Sequence, residues 1–159
     1  MWEVEEYVRR RCKEENVLPL QIGVEGSIMD YPYATCCSLN DEVAHAFPRH
    51  YILNDGDLLK VDMVLSEPID KSVLDVSKLD FDNVAQVKKY TESYAGGLAD
   101  SCWAYAIGTP SDEVKNLMEV TREAMYLGIE QAVVGNRIGD IGAAIQEYAE
   151  SRGYGVVRD

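Results

Sequence analysis

A chain of 159 residues has the length of one ordinary domain with its own core and is too short for two full ones. At 47% hydrophobic and 27% charged, its composition excludes disorder and fibrous repeats. Its 28 Asp and Glu against 15 Lys and Arg leave a net charge of −13, which repels phosphate backbones and anionic lipid and argues against nucleic acid or a membrane surface as partner.

The predicted elements run as follows. Residues 1–15 carry Val4, Val8 and Cys12 as a helical stripe among charges, stopping at Asn16 and Pro19. Residues 20–40 are mixed, with Gly23, Gly26 and Tyr31-Pro32, and 35–39 read as a short strand. Asn54-Asp55-Gly56-Asp57 is a turn signal leading into a strand over 58–65. Residues 66–93 change character, with Pro68, scattered Asp and Lys, and a weak helical hint at Val84 and Val87, as an insertion between two strands would. The second of those strands spans 98–107.

Thr109-Pro110-Ser111-Asp112 opens a helix with a hydroxyl cap, proline in the first turn and acids suited to the dipole. That helix is expected to bury Val114, Leu117, Met118, Thr121, Met125 and Ile129 and to end at Gly135. A second helix places Ile138, Ile141, Ile145, Tyr148 and Ala149 on one face and closes at Gly153, after which 154–159 begin a strand. Both ends read as cut, since an intact domain seldom stops inside a strand. No apolar run reaches the ~20 residues of a membrane span. The charged N-terminal stretch is unlike a secretory signal. Cys12, Cys36, Cys37 and Cys102 lack framework spacing and read as free thiols, so the chain is expected in the cytoplasm.

Two residues break the strand pattern. Asp62 stands opposite a face of Leu59, Val61, Met63 and Leu65, and Asp100 shares its face with Cys102, Ala104 and Ala106. Aspartate is depleted in strands and costly to bury alone, so the pair asks for solvent, arginines or a shared cation; the first two are the commoner reasons. Carboxylates suit hard or borderline divalent ions, and a pair could bridge two. His45, among apolar neighbours, is a structural residue or an acid–base. His50, beside Arg49, reads as a surface residue, and Cys36 as a packed thiol. No HExxH, P-loop or GxSxG motif occurs.

Taken in order, the motifs Tyr31-Pro32, Cys36-Cys37-Ser38-Leu39-Asn40-Asp41-Glu42-Val43-Ala44-His45-Ala46-Phe47-Pro48, Asp55-Gly56-Asp57 through Val61-Asp62, Gly96-Gly97-Leu98-Ala99-Asp100-Ser101, Gly139 to Gln146 and Gly153 to Arg158 resemble bacterial type I methionine aminopeptidases along essentially the whole chain. The resemblance implies an α/β (α+β) pita-bread metallopeptidase fold, here its N-terminal half plus the first two helices of the C-terminal half. Residues 1–159 would be an incomplete single domain with 66–93 inserted between the metal aspartates, as in one bacterial subgroup. It further implies two divalent ions (Co, Mn, Fe, Zn or Ni), with Asp62 chelating one and Asp100 bridging both. His45 would act as the catalytic and substrate-binding histidine, with Tyr31 and Cys36 lining the methionine pocket. The substrates would be peptide and nascent-chain N-termini, a role compatible with ribosome association and a monomer.

The chain departs from the pattern in three ways. Asp62 and Asp100 stand 38 positions apart, Leu98-Ala99 replaces the usual histidine before the second aspartate, and the remaining ligands, a histidine and two glutamates, fall beyond Asp159. The chain alone is therefore expected to be inactive. A proline-specific peptidase of the same fold, a non-catalytic homologue acting as a binding module, and a plain acidic α/β domain are the alternatives.

Overall fold

A computed structural model describes residues 1–94 and 96–157, which divide into two compact units, 1–109 and 110–159. The architecture is α+β: an antiparallel sheet with helices in the first unit and a pair of helices in the second.

Helix α1, Trp2–Glu15, ends where Asn16 turns left-handed (φ 56°), a conformation asparagine tolerates better than most residues. Its buried face is Glu5, Val8 and Cys12. Strand β1 (Cys36–Leu39) pairs with β2 (Leu58–Ser66), which pairs with β3 (Leu98–Ala106), all antiparallel in the order β1-β2-β3. β1 stops at Cys36, opposite Asp62, and beyond that point residues 18–20 take its place beside β2: Leu20 N–H donates to Val64 O (2.8 Å) and Ser66 N–H to Leu18 O (3.0 Å).

Strand β2 borders two apolar clusters. Leu59 and Val61 pack with Met1, Cys37 and Leu39. A larger cluster gathers Val8, Cys12, Leu18, Leu20 and Ile22 with Leu74, Val76, Leu79, Phe81 and Val87. The last five come from the connection between β2 and β3, which forms a 3₁₀ turn over Val76–Lys78 and helix α2 over Val84–Tyr94. The weak helical hint is thus three turns of helix whose Val87 is fully buried. Gly23 (φ +91°) lets the 20–24 segment meet α2, because a Cβ there would lie 2.6 Å from Lys88 Cβ.

In the second unit, α3 (Asp112–Glu130) packs on α4 (Ile138–Ser151). The cap is Ser111, whose hydroxyl accepts from Val114 N–H (3.2 Å), so Pro110 precedes the helix and does not open it. The buried stripe of α3 is Val120, Ala124 and Gly128, whereas Leu117, Met125 and Ile129 are exposed. Small residues allow the close approach: a Cβ on Gly128 would lie 2.8 Å from Ile145. Residues 154–157 form no strand, since nothing beside them offers a ladder of hydrogen bonds; Arg158 and Asp159 lie outside the described residues.

Candidate active site

Antiparallel register decides which side chains meet. Cys36, Asp62 and Cys102 stand opposite one another across the three strands, and Asp100 opposes Val64. Residues directly opposite share a face, so Asp62 and Asp100 are diagonal neighbours on one face, roughly 7–8 Å apart at Cα. Asp62 is half-buried and Asp100 exposed, as is β3 along most of its length.

Burial, and after it the charge of Asp100, hold the Asp62 carboxyl above its ordinary value, while the nearby His45 works in the opposite direction. Among the described residues neither aspartate forms an ion pair with Lys or Arg. Lys60, on the same face, spends its ammonium on Asn40 O (2.8 Å). Among the described residues, the pairing with arginine allowed by the sequence does not occur. Two carboxylates, one desolvated and both without a cation, form a donor set that fits a hard or borderline divalent ion. Among the described residues no group of three His, Cys, Asp or Glu that could hold a metal is found.

His45 stands on the β1–β2 loop with φ +58°, a left-handed conformation uncommon outside glycine and asparagine. The loop is held to β1 by Cys37 N–H donating to Ala46 O (2.9 Å). His45 is exposed, not enclosed by apolar neighbours as the sequence suggested. His50 is also exposed and stacks on Trp2 at 4.9 Å.

Tyr31 lies beside both Cys36 and the His45 loop. Its hydroxyl donates to Thr35 O (3.0 Å) and lies 3.2 Å from Ala46 O. Burial first, then contact with Cys36, hold the phenol above its ordinary value. Burial likewise raises the Cys36 thiol, the Tyr31 contact works against it and the Asp62 charge adds to it, so the neutral thiol is favoured. All four cysteines are free; Cys12, in the core, is pushed up to about 12.

Further neighbours complete the surroundings of Tyr31. Phe47 and Tyr33 meet Tyr31 edge-on at 5.1 and 6.0 Å. Gln21, with its amide turned so that Nε2 donates to Ala34 O (2.9 Å) and Asp62 O (3.3 Å), ties the Tyr31 segment to the aspartate strand. Glu5 is fully buried; a carboxylate three positions before Val8 and seven before Cys12 on one helical stripe is the signal that could have found it.

Residues 89–159 match metallopeptidase family M24. Over 148 residues the chain is 36% identical to the methionine aminopeptidase of Clostridium acetobutylicum, covering 92% of this chain and 47% of that protein. It is 31% identical to methionine aminopeptidase 1 of Bacillus subtilis, over 99% of this chain and 51% of the other. A solved structure of methionine aminopeptidase from Streptococci superposes with TM-score 0.90 at 86% identity, covering all of this chain and 56% of that one. The enzyme from Thermotoga maritima gives 0.76 at 31%, over 99% and 51%. The chain spans about half the length of the curated relatives it matches.

Proposed function

Because this chain belongs to metallopeptidase family M24, in the stretch it shares with methionine aminopeptidases, we propose that the protein containing it removes N-terminal methionine from peptides and nascent chains. The observation that carries the proposal is the pair Asp62 and Asp100: two carboxylates on one sheet face with no Lys or Arg ion pair among the described residues, in a chain this similar to those enzymes. The same reading makes it a monomeric cytoplasmic hydrolase with two divalent ions of the Co, Mn, Fe, Zn or Ni group. Among the described residues no helix is long and apolar enough to cross a membrane.

In this reading Asp62 and Asp100 would hold the ions. When bound, the ions supply Lewis acidity at the scissile carbonyl and make water acidic enough to attack at neutral pH. The remaining work falls to the chain. His45, exposed beside Asp62, donates a hydrogen bond to the substrate amide as charge develops. Tyr31 and Cys36 receive the methionine side chain; a neutral thiol and an aromatic face both suit a thioether. Residues 66–93 are an insertion, a reading supported by the uninterrupted β2–β3 register from Leu58 with Ala106 to Ser66 with Leu98, which an ordinary hairpin loop would close.

The test is hydrolysis of Met-Ala-Ser by the complete gene product in Mn²⁺ or Co²⁺. Release of free methionine is expected, with Asp62→Asn and Asp100→Ala each losing at least ~100-fold. Wild-type activity in either variant overturns the assignment.

A further inference from the structure

Glu5 is a buried carboxylate that the proposed chemistry leaves unused. Its Oε1 accepts from Ala34 N–H (2.8 Å), and its Oε2 from Thr35 N–H (2.9 Å) and the Thr35 hydroxyl (2.6 Å). Arg9 donates Nε to the same carboxylate (2.5 Å) and an NH₂ group to Pro32 O (3.1 Å). One helical turn of α1 therefore grips the chain at 32, 34 and 35. Immediately on either side stand the two residues assigned to the methionine pocket, and Tyr31 itself donates to Thr35 O (3.0 Å). Ala34 and Thr35 are fully buried and Cys36 is nearly so; Tyr31 exchanges backbone hydrogen bonds with Gly23 and Val24 (2.8 Å each), while 32–35 lies outside β1 and is held by Glu5 and Arg9 together with the Gln21 amide on Ala34 O.

We infer that Glu5 is a positioning residue for substrate recognition: its carboxylate shapes the Tyr31–Cys36 wall and so sets affinity for the substrate's first side chain. The inference rests on the aminopeptidase reading above. A carboxylate suits the task because it is acceptor-only, with lone pairs on both oxygens for four converging donors, two on each oxygen. Glutamine matches its shape but turns an NH₂ group toward one of those donors, leaving a buried N–H unpaired. The aspartates assigned to the metal lie on β2 and β3 and take no hydrogen bond from Glu5, Arg9 or Thr35; the one link between them and this segment, Gln21 bridging Ala34 O and Asp62 O, is left in place by the variants below.

The experiment measures steady-state hydrolysis of Met-Ala-Ser by the Mn²⁺-loaded complete gene product, together with peptide-resolved iodoacetamide labelling of Cys36. Glu5→Gln is expected to raise KM ~10-fold with kcat within about two-fold, and to label Cys36 ~10-fold faster. Thr35→Val, which loses the hydroxyl alone, is expected to raise KM ~3-fold, with Thr35→Ser restoring it; this pair carries the test if Glu5→Gln fails to fold. A fall in kcat at unchanged KM, tracking the folded fraction, would reduce Glu5 to a purely structural residue and overturn the inference. So would unchanged Cys36 labelling in folded Glu5→Gln. If the unmutated protein does not cleave Met-Ala-Ser, the aminopeptidase reading itself has failed, which the control reveals before any variant is compared.

Discussion

Asp62 illustrates how a residue can be costly to the fold and useful to the site. Its raised carboxyl favours the protonated form, so its contribution to stability is present at low pH and lost as pH rises through that raised value. Asp62→Asn removes one of two like charges on the same face, and the metal-free protein should gain ~0.5 kcal/mol in urea unfolding at pH 7. The same variant should lose the stabilisation that Mn²⁺ confers on the wild type. A metal-free variant no more stable than wild type would show that the two charges do not interact. Asp57 behaves oppositely. It accepts from Asn54 N–H (2.8 Å) and from Asn40 Nδ2 (3.0 Å), and the backbone bond first of all lowers its pKa. Its contribution is present above the ordinary aspartate range and lost as pH falls through the lowered value. Asp57→Ala should therefore lower the melting temperature at pH 7 and leave it nearly unchanged at pH 2.

Among the elements, the β2–β3 connection, besides the core residues it buries, is tied to the end of α1 by the Asn16 side chain. Asn16 donates Nδ2 to Ile69 O (2.6 Å) and Leu74 O (2.9 Å) and accepts from Val76 N–H (2.9 Å), all within a nearly water-free site. Asn16→Ala removes three bonds and leaves alanine in a left-handed conformation, an expected loss of ~3 kcal/mol by urea unfolding. Asn16→Gly relieves the backbone alone and should recover less than half of that. In the second unit, Gly128→Ala drives a methyl into Ile145. Overpacking should outweigh the gain in helix propensity and destabilise by ~1 kcal/mol, measured by calorimetry.

At the scale of the whole molecule, charge dominates. A chain of net charge −13 stores self-repulsion that salt screens. Raising NaCl from low to roughly physiological strength should lift the melting temperature by about 3 °C, or ~1 kcal/mol. A fall would mean that ion pairs such as Arg9 with Glu5 and Asp82 outweigh the repulsion.

Local chemistry was enough to read α1, β1, β2, β3 and the onset of the second unit, because turn residues, caps and two-residue alternation act over short stretches. It also marked Asp62 and Asp100, since a carboxylate within a largely apolar strand breaks a local rule. What needed three dimensions were choices between surfaces. The covered stripe of α3 follows from where Ala124 and Gly128 let α4 approach, and hydrophobicity along one helix cannot reveal that. Residues 154–157 have strand composition and no strand, because a strand exists only with a partner. Glu5 belongs to no motif, and its importance comes from amides some thirty residues away that fold back onto it. Pairwise propensity is written along the chain, whereas burial and register are properties of what meets across it.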